Sequence, residues 1–310
     1  MDWNAVLNVL SPSMLLIIAV GTFGGIVIGA LPGLTATMGV ALLVPMTFGM
    51  HPVAGLSMLM GIYVGAIYGG CISAILLKTP GTPSSAATTL DGYPMAQKGE
   101  AGKALGMATL ASGIGGLISA VVLIGMAPQL AKLALMFGPA EYFALAVFGL
   151  TIIASLSTDI LKGMLIGCVG MLLSTVGNDP VSGFSRFTFD ISNLASGIAF
   201  IPALIGLFAI SEVLVQLDNL KAENVASRRV SGLFPSRQEW KECWKTLIRG
   251  SFIGTVIGIV PGTGANIASW LSYNEARRAS KHPEKFGTGI IEGVAATESA
   301  NNAVCGGALV

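Results

Sequence analysis

The sequence predicts an all-α polytopic membrane protein, built as inverted repeats that each open with a re-entrant helical hairpin broken at Pro-Gly. Three observations predict it. Only 11% of the 310 residues are charged and 53% are hydrophobic, with a mean hydropathy of +0.76; a soluble domain carries about a quarter charged residues. Uncharged runs such as Leu56–Leu77 and Ala104–Leu130 exceed the ~20 residues that cross roughly 30 Å of hydrocarbon. Finally, GTFGGIVIGALPGLTA (Gly21–Ala36) and GSFIGTVIGIVPGTGA (Gly250–Ala265) share one frame, an apolar run interrupted by Pro-Gly. A broken apolar helix in each half of a membrane protein points to a transport site.

Charge orders the elements along the chain. Seven Lys/Arg fall in residues 218–249 and four more in 275–285. Cytoplasmic loops carry the excess of Lys and Arg, so both segments are expected inside. The apolar stretch between them, 250–274, must then return to the side it left. Two arms of about 11 residues, each roughly 16 Å long, reach half-way through a bilayer and back. A first hairpin is expected at about 14–49 by the same frame. Crossings follow at about 56–77, 104–126, 141–155, 161–175 and 194–217, of which 141–155 and 161–175 are short. These form a first transmembrane repeat over 1–217. A basic linker (218–249) follows, with Trp240 and Trp244 on one helical face, and a second repeat begins at 250. The arrangement puts fifteen of the seventeen Lys/Arg inside, leaving Lys132 and Arg186 outside. The N-terminus then faces out. Five crossings between the hairpins make the two copies inverted.

Three constellations carry chemistry. The hairpin tips contain Gly33, Thr35 and Thr37 in one copy and Gly262, Thr263, Gly264 and Asn266 in the other. Glycine lets the backbone unwind, and N–H groups freed at a helix N-terminus suit a carboxylate. The alternative is a kink satisfied by neighbouring helices. The second constellation, Lys78-Thr-Pro-Gly-Thr-Pro-Ser-Ser through Asp91, holds six hydroxyl residues in Thr79–Thr89. Thr82, Ser84 and Ser85 are its candidate ligands, a helix can open at Ser84-Ser85, and Lys78 can add positive charge. The alternative is a cytoplasmic loop of turn residues. In the third, Glu298, Asn301 and Asn302 stand at i, i+3 and i+4 on one helical face. An intramembrane carboxylate with two amide oxygens suits Na⁺ or H⁺ coupling; the alternative is a structural pairing with a neighbouring helix.

Other residues say less. Cys71, Cys168, Cys243 and Cys305 lack metal-ligand or redox spacing, and His51 and His282 have no partner in sequence. No Walker, G-x-S-x-G or HExxH pattern occurs, so an ATPase, a hydrolase or any other enzyme is not expected, and neither is a metal or an organic cofactor. Four acids intersperse the basic linker, which argues against nucleic acid.

Three blocks, GALPGLTATMGVALLVPMTFGM (Gly29–Met50), YGGCISAILLKTPGTPSSAATTLDGYPMAQKG (Tyr68–Gly99) and GIVPGTGANIASW…ATESANNAVCGGAL (Gly258–Leu309), resemble the large permease subunit of the tripartite tricarboxylate transporter family. The resemblance implies a bacterial inner-membrane carrier working with a small membrane subunit and a periplasmic solute-binding protein. It would take up citrate or a related carboxylate on a Na⁺ or H⁺ gradient. Family members are longer, and the second repeat would continue into its own Pro-Gly-Ser/Thr loop, so a C-terminally truncated chain is expected. Two other classes fit the residues: a passive channel lined by hairpin tips, and a non-transporting membrane scaffold for the other subunits.

Overall fold

The computed structural model describes residues 9–134, 138, 140, 143–144, 147, 159–179, 183–198, 214, 232, 234–260 and 264–309. In chain order the helices are α1 (Pro12–Ala30), α2 (Ala36–Leu43), α3 (Pro52–Leu77), α4 (Thr89–Gln97), α5 (Ala101–Ala134), α6 (Ile160–Ser174), α7 (Arg237–Ile259), α8 (Gly264–Ala279) and α9 (Ile291–Gly307). Among the described residues the only strand pairing is a two-residue ladder, β1 (Gly177–Asn178) against β2 (Ser185–Arg186). The all-α expectation holds. The chain divides into two compact units, 1–128 with 208–310, and 129–207.

Local chemistry sets the helix ends in the larger unit. Pro12 and Pro52 open α1 and α3 at positions where no N–H is needed. Helix α1 stops at Leu31, ahead of Pro32, and α3 stops where Lys78 turns left-handed (φ 61°) before Thr79-Pro80. A capping box starts α7: Ser236 Oγ accepts the Glu239 N–H at 3.2 Å, and Glu239 Oε2 accepts the Ser236 N–H at 2.7 Å. Glu239 also receives Lys103 Nζ at 3.0 Å, and Lys103 bonds Glu100 at 2.9 Å. Partial burial pushes the Glu239 carboxyl up, but the Ser236 N–H and Lys103 outweigh it and hold the group below its usual value. A depressed carboxylate stabilises the fold above its ordinary range and loses that contribution as pH falls through its folded value. Ser236→Ala is therefore expected to cost about 1 kcal/mol at neutral pH. In thermal melts at a series of pH values, that deficit shrinks once Glu239 is protonated.

Glycine seams hold the helices together. Gly21, Gly25 and Gly29 on α1 meet the backbone of α3 at Met58, Ile62 and Ala66, while Gly61, Gly65 and Gly69 on α3 meet α1 at Ile18, Thr22 and Ile26. With no Cβ on either side the backbones touch, the contact by which membrane helices gain dispersion energy. In the second half, Gly254 and Gly258 on α7 lie on Ala300 and Val304 of α9. The frame shared by Gly25/Gly29 and Gly254/Gly258 is thus a shared packing device. On this register Ala300 and Val304 replace Ile62 and Ala66. Met60, Tyr63 and Val64 of α3 then correspond to Glu298, Asn301 and Asn302 of α9. A core containing Ile75, Met95, Met107, Leu247 and Val294 joins α3, α4 and α5 to α7 and α9.

Three described helices are long and apolar enough to cross a membrane: Pro12–Ala30, Pro52–Leu77 and Ala101–Gln129. The second and third include the residues expected to cross, 56–77 and 104–126. The first differs from expectation. Helix α1 has 19 residues, about 28 Å at 1.5 Å per residue, and α2 has eight, so the arms of the first hairpin are unequal. In the second hairpin α7 runs unbroken from Arg237 to Ile259, making the end of the basic linker and the first arm one helix. The crossings expected at 141–155 and 194–217 lie mostly outside the described residues. The smaller unit contains the 15-residue α6, capped by Asp159, and the β1–β2 ladder, which an Arg186–Asp179 ion pair flanks.

Candidate functional site

Two of the three constellations meet. After α3 ends, Pro80 and Pro83 keep the chain out of a helix, and it folds back across the α1–α3 seam. A Cβ on Gly81 would overlap the Gly29 carbonyl oxygen, and one on Gly70 would stand 2.6 Å from Ser85 Oγ. Only glycine permits the loop to lie this close. Pro83–Ser85 forms one 3₁₀ turn, and the regular helix starts at Thr89, four residues beyond the sequence expectation. Thr82 Oγ1 bonds Ser84 Oγ at 3.0 Å and Ser85 Oγ at 3.2 Å, and all three side chains are buried. The turn packs against α8 and α9.

Helix α9 is buried along its length except at Glu292, and Glu298 lies within the buried stretch. Thr88 Oγ1, at the end of the loop, donates to Glu298 Oε1 at 2.5 Å and lies 3.0 Å from Thr297 Oγ1. Ser112 Oγ of α5 reaches Glu298 Oε2 at 3.4 Å. The Asn301 amide nitrogen stands 3.4 Å from Glu298 Oε2 and 3.4 Å from the Ile67 carbonyl oxygen of α3, while Asn301 Oδ1 is buried with no hydrogen-bond partner among the described residues. Every donor to the carboxylate is neutral, and no ion pair reaches it among the described residues. A buried carboxylate without counter-charge is costly. No cluster of three His, Cys, Asp or Glu occurs among the described residues.

The remaining candidates are dispersed. Asn302 is buried, but its Oδ1 accepts the Cys305 thiol at 3.6 Å, apart from Glu298. Gly33 has φ 93° at the first tip, as the unwinding argument requires. Thr35 Oγ1 is already occupied as the N-cap of α2, accepting the Met38 N–H at 3.2 Å, and Thr37 is exposed. Gly264 (φ 65°) opens α8, with Asn266 exposed on its first turn. Gly262 and Thr263 lie outside the described residues. Lys78 is exposed and sits over the Tyr93 ring, 5.7 Å from its centroid, so its charge does not serve the loop as expected. Sequence reasoning missed Thr88, Ser112 and the Ile67 carbonyl. Thr88 was visible as one of the loop's hydroxyls; nothing local marks Ser112 or a backbone oxygen.

Comparison with known proteins adds the following. Residues 15–310 match the family described as Tripartite tricarboxylate transporter TctA. An uncharacterized 52.8 kDa protein in the TAR-I ttuC' 3' region of Agrobacterium vitis is 45% identical over 285 residues, covering 92% of this chain and 57% of the relative. A second protein, from the TAR-II ttuC' 3' region of the same organism, is 52% identical over 50 residues, 16% of this chain and 21% of that protein. The chain spans little more than half the length of the longer match. No solved structure matches.

Proposed function

The chain belongs to the tripartite tricarboxylate transporter TctA family, and from that premise we propose that it forms the membrane-embedded permease core of a carboxylate carrier driven by a cation gradient. The observation that carries the reading is the buried Glu298 carboxylate, ringed by neutral oxygen-bearing side chains from both halves of the chain. Coupling needs a site whose charge is intolerable when empty and relieved when a cation arrives. Glu298 Oε, Thr88 Oγ1, Ser112 Oγ, Asn301 Oδ1 and the Ile67 carbonyl are hard oxygen ligands of the kind that receive Na⁺, and the carboxylate alone can take H⁺. Asn302 is placed at the edge of this site.

The anion is assigned to the hydroxyl cluster Thr82, Ser84 and Ser85 with the tips Gly33–Thr37 and Gly262–Asn266, where helix N-termini favour negative charge. The cation at Glu298 then offsets the charge of the carboxylate in low dielectric. A periplasmic binding protein delivers the solute, a small membrane subunit completes the complex, and one repeat moves against the other. One contact across α3 and α9 joins the two halves beside this site: the Asn301 amide reaches the Ile67 carbonyl at 3.4 Å. The reading places the protein in the inner membrane with its N-terminus in the periplasm.

The test is uptake of labelled citrate and a panel of di- and tricarboxylates into proteoliposomes. The full-length permease is reconstituted with both partners, with and without an inward Na⁺ or H⁺ gradient. Saturable uptake requiring receptor and gradient is expected. Non-saturable flux without a gradient overturns the carrier in favour of a channel, and absence of flux for every acid overturns transport.

A further inference from the structure

A second carboxylate, Asp91, ties the two halves together beside the candidate site. It sits three residues after Thr88, on the same face of the chain entering α4, and is 1% exposed. Its Oδ1 accepts three backbone N–H groups, from Gly287 at 2.9 Å, Gly289 at 2.8 Å and Ile290 at 3.0 Å. Its Oδ2 accepts the Tyr273 hydroxyl at 2.8 Å. Gly287 and Gly289 have φ of 85° and 98°, the left-handed form that turns successive N–H groups inward around an anion. A Cβ at Gly293 would overlap Asp91 Oδ2. The backbone leading into α9 is therefore shaped around this one side chain, whose charge also suits the helix N-terminus.

We propose that Asp91 is a positioning residue: by pinning α4 to the start of α9 it sets the register of Thr88 on Glu298 and holds the Thr82–Thr88 loop closed. The geometry explains why both ends of the contact are needed. Asp91 fixes α4 at the first turn of α9, and Thr88 then meets Thr297 and Glu298 two turns further along. Without the clasp the polar ties left between this segment and the second half, among the described residues, are Thr88 itself and, at the far end of α4, Lys98 Nζ on the Thr288 carbonyl at 2.7 Å. The consequence for ion coupling rests on the proposed function; the consequence for loop closure does not.

The experiment has an arm for each. In the chain carrying Cys168→Ser, the buried Ser85 is replaced by cysteine and its reaction with a small charged thiol reagent is timed in native membranes. Asp91→Ala removes several charge-assisted bonds and is expected to raise the labelling rate by about tenfold or more. Asp91→Asn keeps an acceptor oxygen for the three N–H groups and stays within about threefold of the parent. Unchanged labelling in Asp91→Ala, or equal labelling in both variants, overturns the proposal. Should Asp91→Ala fail to accumulate, Tyr273→Phe removes one donor and spares the backbone bonds; it should raise labelling modestly, and no change overturns the clasp. In the reconstituted complex, Asp91→Ala at equal membrane abundance should raise the cation concentration for half-maximal uptake, with Asp91→Asn restoring it. A loss of maximal rate alone overturns the link to the ion site. If the parent shows no uptake, the transport reading fails while the labelling arm still decides the role of Asp91.

Discussion

Glu298→Gln is expected to cut gradient-driven uptake sharply while the protein remains inserted and becomes no less stable. The amide keeps the size of the side chain and can still accept from Thr88, so packing survives. It removes a charge that none of its described partners neutralises. Replacing an uncompensated buried charge by a neutral group is neutral or stabilising. The loss falls on function, since an amide does not titrate and brings no negative charge to a cation. Charged hydrogen bonds of about 1.5–3 kcal/mol set the scale, which converts to roughly ten- to hundredfold in uptake. Melting temperature and initial uptake rate, taken from one preparation, check the claim. If Glu298 only braces neighbouring helices, the two readouts fall together.

Gly25→Leu is expected to remove the folded protein from the membrane. A Cβ there would overlap the Ile62 carbonyl oxygen and stand 2.9 Å from the Ala66 nitrogen, both of them backbone atoms that no rotamer change can move. Added methylenes in packed interiors cost about 1–3 kcal/mol even where side chains can adjust, and here the helices must separate. Gly254→Leu should act alike in the second half, where the added atom meets the Ala300 backbone. The controls are Gly113→Ala and Gly116→Ala on α5, where nothing among the described residues lies within 4 Å of the new Cβ. They should be neutral or, through better helix propensity, slightly stabilising by up to about 1 kcal/mol. Monodisperse yield in detergent reads both results, and a Gly25→Leu yield equal to that of Gly113→Ala would sink the seam as an organising contact.

Much of the architecture was legible because membrane insertion writes itself into composition. The runs at 56–77 and 104–126 emerge as helices, and the repeated glycine frame emerges as a repeated seam. What escaped was long-range pairing. The spacing of Glu298, Asn301 and Asn302 gave a shared face, yet Asn301 turns to the carboxylate and Asn302 to Cys305, a choice made by α3 and α5 packing from outside the helix. Lys78 looked like a ligand for an anion until the left-handed turn at its own backbone sent it to Tyr93. Asp91 stood in plain view within a polar loop. Its role appears only when the Gly287–Ile290 backbone is folded over it, and no local pattern encodes that.

The equivalence of Met60 with Glu298 has an evolutionary corollary. A duplicated frame offers two places for one charge, and in this chain only the later copy uses it. The halves have divided their labour: the earlier supplies hydroxyls and a carbonyl, the later the acid they surround. On the proposed function such a pair drifts unequally, since the thioether site answers only to packing while the carboxylate site answers also to an ion. Random substitution should therefore be tolerated widely at Met60 and hardly at all at Glu298, although the two positions occupy matching places on their helices.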